Sequence, residues 1–289
     1  MGWVNAVVQG ILLGGLYALF ACGLSLMFGV MRIVNLAHGD LAVLAAFAAY
    51  SLATATPLGV LGATLLVLPA FGVFGYLVQR GLVQRSISVG PLSTLLVTFG
   101  LSVVIQNLLL SGYSADTRSI DPGSLVSASL KISGELSVSY LAVITFGLAI
   151  VVLVGLQLFL GRSRIGRMVR AASDDPEAAT LQGADPRHIY GVATAIAFAT
   201  VALAGLMFAM RSSFDPSIGP TRLLFAFEAV VIGGLGSLWG TLLGGMVLGL
   251  AQSLGAQYDP ALTLLAGHVI FLAVLAFRPQ GLSPRRRLA

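Results

Sequence analysis

The sequence predicts an all-α, polytopic helical membrane protein, and three observations predict it. Of 289 residues, 57% are hydrophobic and only 9% are charged, against roughly 25% charged in a soluble globular domain. Mean hydropathy is +0.96. The apolar runs are continuous over about twenty residues, the length of a membrane-crossing helix, where barrel strands would alternate over about ten. A water-facing surface cannot be built from this composition. The 35 glycines fit membrane helices that pack closely through small residues.

In chain order the spanning segments are 6–29, 40–56, 58–79, 92–112, 138–160, 189–210, a long run 223–255, and 261–277. The first follows MGWVNA, which lacks the basic n-region of a cleavable signal, so it is predicted to stay as a membrane helix. The second is short. RIVNLAHGDL (32–41) divides it from the first, placing Arg32, Asn35, His38, Gly39 and Asp40 between two apolar stretches. The next four have ordinary spanning lengths. As one helix, 223–255 would be about 50 Å long, far more than a bilayer core. Its centre, GGLGSLWGTLLGG (233–245), has glycines where a helix would break. The run is therefore divided into a short segment 223–235 and a full helix 238–255. With 261–277 last, eight apolar runs become nine membrane segments in one transmembrane domain, 1–289, one or two of them short or broken.

Lys and Arg in short loops mark the cytoplasmic side. Residues 161–188 hold Arg162, Arg164, Arg167, Arg170 and Arg187, and the tail holds Arg285, Arg286 and Arg287. Both are predicted cytoplasmic, with Arg80 and Arg85 marking a third such loop. The Ser-rich loop 113–137 sets Arg118 and Lys131 against Asp116, Asp121 and Glu135 and is predicted external. Five crossings before 161–188 put the N-terminus outside. An even number after it, which the division of 223–255 supplies, puts the C-terminus in the cytoplasm.

The net charge of +5 follows from these loops, and nucleic acid is not an expected partner. The single cysteine, Cys22, excludes an intrachain disulfide and a thiolate cage. His38, His188 and His268 lie in different segments, so neither a catalytic constellation nor a metal site is expected. There is no phosphate loop GxxxxGK followed by Ser or Thr, so the chain hydrolyses no ATP itself; no enzyme activity and no cofactor are expected.

Each half of the chain has an inward-running segment, a break rich in Gly or polar residues, and an outward-running helix. Irregular backbone at membrane depth is tolerated only where protein or water covers it, and transporters use such breaks to contact substrate. The interruption at 32–40 is read as such a break, at the inner end of a pathway. The other reading is a plain cytoplasmic turn with Arg32 and Asp40 solvated.

The most specific stretch is GRSRIGRMVRAASDDPEAATLQGADPRHIYG (161–191). Asp175-Pro176 predicts an N-cap with Pro at N1, and Glu177 suits the positive end of the helix that follows. Gly183 can close that helix in a left-handed conformation, and Asp185-Pro186 starts the next one. A short amphipathic helix is thus expected along the inner surface, where its arginines also suit anionic lipid.

Glu177-Ala178-Ala179, three residues, then Gly183 resembles the EAA-x3-G signature of permease subunits of ABC importers. RIVNLAHGDL (32–41), FAFEAVVIGGLGSLWGTLLGGMVLG (225–249) and FRPQGL (277–282) resemble the permeases of branched-chain amino acid ABC importers, most closely the shorter, H-type (LivH type) permease. The resemblance covers about residue 5 to residue 282 with the motifs in the family's order. It implies a type II ABC importer-like permease in the bacterial cytoplasmic (inner) membrane. Its implied partners are two ATP-binding subunits, a second permease subunit that is a related chain, and an extracytoplasmic substrate-binding protein. It also implies that 161–188 is a coupling segment docking on the ATPases and that transport runs by alternating access. On that basis Glu177, Ala178, Ala179 and Gly183 couple, with Arg164, Arg167 and Arg170 bracing the docking surface or serving only as positive-inside markers.

The pathway candidates are Asn35 and His38 in the first break, and Gly233, Gly234 and Gly236 in the second. Glu228 joins them, because an ionisable side chain in an apolar segment is a functional hypothesis by default; pairing with Arg222 near the outer surface is its bland alternative. His268, Gln106 and Asn107 read as helix–helix hydrogen-bond partners, and Tyr17 and the Gly14-Gly15 pair as packing residues. Urea or short amides are an alternative cargo to hydrophobic amino acids. A self-sufficient channel or secondary transporter is disfavoured because Glu228 is the only carboxylate placed well inside a predicted span.

Overall fold

The computed structural model describes residues 2–121, 123, 129–133, 136–181 and 183–283. The tail arginines Arg285, Arg286 and Arg287, and Glu135 of the Ser-rich loop, lie outside the described residues. The elements are α1 (Gly2–Met31), α2 (His38–Ala55), α3 (Gly59–Ile87), α4 (Pro91–Tyr113), β1 (Ser129–Ser133), β2 (Leu136–Ser139), α5 (Tyr140–Arg162), α6 (Arg164–Asp174), α7 (Pro176–Leu181), α8 (Pro186–Arg211), α9 (Gly219–Gly233), α10 (Leu238–Tyr258) and α11 (Leu262–Phe277). Helices α1, α3, α4, α5, α8 and α10 are long and apolar enough to cross a membrane. The shorter α2, α9 and α11 complete the bundle.

The division of 223–255 is real: α9 ends at Gly233 and α10 begins at Leu238. At 15 residues, α9 is about 22 Å long, shorter than a bilayer core of about 30 Å. The all-α expectation missed one small feature. The loop before α5 carries an antiparallel ribbon, β1 with β2, pairing Ser129 with Ser139 and Leu130 with Val138.

Helix α1 is apolar all round and buried from Gly14 to Met27, as expected of a helix enclosed by others. It packs on α10, α8, α9 and α5. The α1–α10 crossing is built from glycine: a Cβ at Gly14 would strike the backbone of Met246, and one at Gly249 the carbonyl of Gly10. Removing side chains at Gly10, Gly14, Gly245 and Gly249 lets the two backbones touch, the small-residue solution for membrane helices. Around this centre, α3 and α5 turn leucines and valines such as Leu61, Leu65, Val151 and Leu158 outward, a surface suited to lipid.

The ribbon end of the bundle lies by Gln9, whose Nε2 donates to the Ser137 carbonyl at 2.8 Å. At the opposite end, Ser173 on α6 donates to the Gly29 carbonyl at 2.6 Å. These two contacts fix depth along α1.

Candidate functional site

Arg32 ends α1 in the left-handed region, with φ 54°, an uncommon conformation for a side-chain-bearing residue. The chain then turns back. Asn35 Oδ1 accepts from the Ala37 N–H at 3.0 Å, and its own carbonyl accepts from the His38 N–H at 3.2 Å. His38 Nε2 donates to the Phe20 carbonyl of α1 at 2.8 Å. From Met31 back to Phe20 is about 16 Å of helix, so residues 32–37 return the chain from the end of α1 towards its middle before α2 begins.

Asp40 follows in the first turn of α2 and is 1% exposed. The solvated-turn reading of Asp40 is thereby corrected. Ser102 Oγ donates to its Oδ2 at 2.6 Å and Gln106 Nε2 to its Oδ1 at 3.0 Å. Ser102 is the central residue of α4, so this carboxylate sits at mid-depth. The bundle therefore buries two carboxylates, Asp40 and Glu228, where the sequence placed only one well inside a span. Gln106 bridges helices as expected. Asn107 does not: its Nδ2 donates to Val103 of its own helix at 2.8 Å.

A second reversal meets the first. Residues 212–218 leave α8 and return to Gly219, where α9 starts. A Cβ at Gly39 would collide with the Gly219 carbonyl, and a Cβ at Gly219 with the Asp40 carboxylate. The starts of α2 and α9 thus converge inside the bundle.

The third discontinuity, 234–237, lies at the α6–α7 end. Gly234 has φ 106° and Gly236 φ 81°, both open to glycine at little cost. Gly236 packs on Gly29, 3.2 Å from where its Cβ would be. The segment after α11 closes over this break. The Leu282 N–H donates to Ile232 at 2.8 Å and the Ser283 N–H to Gly233 at 3.1 Å, satisfying carbonyls that end α9. Two stretches far apart in sequence, GGLG (233–236) and RPQGL (278–282), form one unit. A cleft of about 400 Å³ opens there between Phe28, Val231, Leu235, Pro279 and Gln280.

Glu228 pairs not with Arg222 but with His268 of α11, Oε1 to Nδ1 at 2.5 Å. His268 is thereby the helix–helix partner the sequence indicated. Tyr17 donates to Gln252 Oε1 of α10 and sets its ring 5.3 Å from Phe225. The six pathway candidates therefore occupy three places. Asn35 and His38 are sealed at the first reversal, Gly233, Gly234 and Gly236 build the third, and Glu228 lies between.

The α6–α7 surface is capped at every start. Ser163 Oγ accepts from the Gly166 N–H at 2.8 Å, Asp175 Oδ1 from the Glu177 and Ala178 N–H groups at 3.0 Å each, and Asp185 Oδ1 from the Arg187 N–H at 2.9 Å. The first start, at Ser163, went unread in the sequence. Gly183 takes φ 83°. Ala179 is the buried residue on the inner side of α7, while Glu177 and Leu181 face outward, Leu181 90% exposed. Arg167 Nη1 donates to the Arg162 carbonyl at 3.0 Å and Arg170 Nη2 to the Gly161 carbonyl at 3.4 Å. Both arginines thus cap the end of α5, where positive charge is favoured. Asp185 also pairs with Arg80 at 3.3 Å and His188 with Tyr76 at 2.9 Å, tying the start of α8 to α3.

Known proteins share this chain along its length. BraD, the high-affinity branched-chain amino acid transport system permease protein of Pseudomonas aeruginosa, is 30% identical over 98% of this chain and 96% of its own. LivH, the corresponding permease protein of Salmonella typhimurium, is 26% identical over the same shares. LivM of Escherichia coli, also a permease protein of such a system, is 33% identical over 50% of this chain and 35% of its own. The profile of the family described as branched-chain amino acid transport system, permease component, matches residues 6–277. The chain belongs to that family of permease components.

Proposed function

We propose that this permease subunit imports branched-chain or similar hydrophobic amino acids across the bacterial inner membrane by ATP-driven alternating access. One of two ATPase subunits docks on α7, a second, related permease chain completes the membrane domain and takes the other, and a binding protein delivers cargo at the ribbon end. The observation that carries the reading is the α6–α7 surface. A short capped helix presents Glu177 and Leu181 outward at the end of the bundle where Ser173 holds α1. Motion imposed on α7 passes through Ser173 to Gly29, and from Gly29 to Gly236 and the break between α9 and α10. In this orientation the N-terminus is external and the C-terminus cytoplasmic.

The test is leucine uptake by liposomes holding the complex purified through this chain, with its binding protein on the outside and ATP enclosed. Uptake that needs both supports the reading; uptake that ignores ATP sinks it. The buried Asp40 and the Glu228–His268 pair favour one second reading, an ion-coupled transporter, which predicts uptake driven by a proton gradient without ATP. Urea in place of leucine tests the alternative cargo in the same vesicles.

A further inference from the structure

Helix α4 has two unlike faces. The inward face is a ladder of hydrogen-bonding side chains one turn apart, Thr94, Thr98, Ser102 and Gln106. Thr94 Oγ1 accepts from the Ser86 hydroxyl at 3.2 Å, Thr98 Oγ1 accepts from the Leu36 N–H at 3.2 Å, and Ser102 and Gln106 donate to Asp40. Each rung is engaged within the chain. The outward face carries Val103, Val104, Asn107 and Ser111, all exposed. Asn107 Nδ2 gives one hydrogen to the Val103 carbonyl of its own helix. Its second amide hydrogen and its Oδ1 have no partner among the described residues.

Asn107 stands close to Ser102, the centre of α4, about 7.5 Å from it along the axis and so inside a hydrocarbon core of about 30 Å. At that distance or less from the centre of each spanning helix, it is the only exposed polar side chain among the described residues. The middles of α3 and α5 turn out apolar residues such as Val73 and Val151. His268 of α11, which is partly exposed, is satisfied by Glu228. An amide facing lipid forgoes hydrogen bonds that a neighbouring helix would supply. Depth selects the neighbour. In the importer reading the ATPases and the binding protein meet the bundle at its two ends, and a lipid tail offers neither donor nor acceptor. Another membrane chain is left, and the short Val103, Val104 and Ser111 around the amide suit close approach of its helix.

We propose that the face of α4 carrying Val103, Asn107 and Ser111 is the surface on which the second, related permease packs, with Asn107 hydrogen-bonded across the junction. The rungs to Asp40 hold α4 on α2 and so present the outward amide at a fixed depth. The inference rests on the importer reading, which supplies the second chain, and adds to it the place where that chain sits.

Photo-cross-linking in native membranes tests it. Benzoylphenylalanine is placed at Val103 or at Asn107 on α4, and for comparison at Leu65 on α3 or Val151 on α5, both outward; mass spectrometry identifies what each position captures. The α4 positions should capture the related permease and the comparison positions should not. Independently, Asn107→Leu should reduce the second permease retained on the purified complex in stringent detergent by roughly three- to tenfold, the effect of one hydrogen bond between membrane helices, while the ATPase subunit on α7 stays. Asn107→Gln, which keeps an amide, should restore part of the loss. Capture of the related permease from α3 or α5 but not from α4 overturns the surface. So does capture from α4 of only lipid, an ATPase or a second copy of this chain. Full retention by Asn107→Leu overturns the role given to the amide. A wild-type complex that holds no second permease at all overturns the importer reading instead.

Discussion

Asp40 and Gly219, from opposite halves of the chain, meet where two helices start. The Asp40 carboxylate fills the space that a side chain at position 219 would need. Because φ at Gly219 is not positive, the constraint there is one of space alone. Gly219→Ala is expected to destabilise the protein by about 1–3 kcal/mol, as overpacking of a filled core does. Thermal unfolding in detergent checks this, with Gly100→Ala, which has open space around it, as the comparison that should unfold like wild type.

Asp40→Asn is expected to cost about 1–3 kcal/mol, because both donors on the carboxylate, Ser102 and Gln106, cannot be matched by an amide that carries its own N–H groups. Adding Ser102→Ala should recover part of the loss, since it removes one of the two competing donors. A double-mutant cycle on unfolding midpoints measures the coupling.

Gly234→Ala introduces a side chain at φ 106° and drives its Cβ to 2.6 Å from the Ser283 carbonyl. The expected result is release of the 278–283 segment from the α9–α10 break. Limited chymotryptic proteolysis should then cut after Leu282 faster in the variant than in wild type.

Ser173→Ala removes the hydrogen bond that joins α6 to the end of α1. Stability should fall by only about 1 kcal/mol. Uptake should fall more than ATPase activity, so that more ATP is hydrolysed per leucine imported. Equal losses in both would show that Ser173 serves stability and not coupling.

Much of the fold was legible in the sequence because membrane helices announce themselves by continuous apolar length. The division of 223–255 followed from length and parity, and Asp175, Asp185 and Gly183 act as caps through purely local chemistry. What stayed hidden depends on tertiary return. Nothing local says that residues 32–37 run back along α1, so Asp40 looked solvated while it is buried against α4. Ser102 and Gln106, one helical turn apart on α4, were the available signal of a polar partner on that face. The α6 start at Ser163 was masked by the arginines around it. The Glu228–His268 pair joins residues forty positions apart, and the fit of RPQGL to the GGLG break lies entirely in backbone contacts that a side-chain pattern does not record.

The most direct test of the account is purification of this chain from native membranes in mild detergent, wild type beside Glu177→Lys, with mass spectrometry of what accompanies each. The account predicts ATPase subunits with the wild type and their loss from the variant, with the second permease retained in both, since Glu177 is exposed and its reversal leaves the bundle intact. A wild-type chain that comes alone, or a variant that holds its ATPases as tightly as wild type, would contradict it.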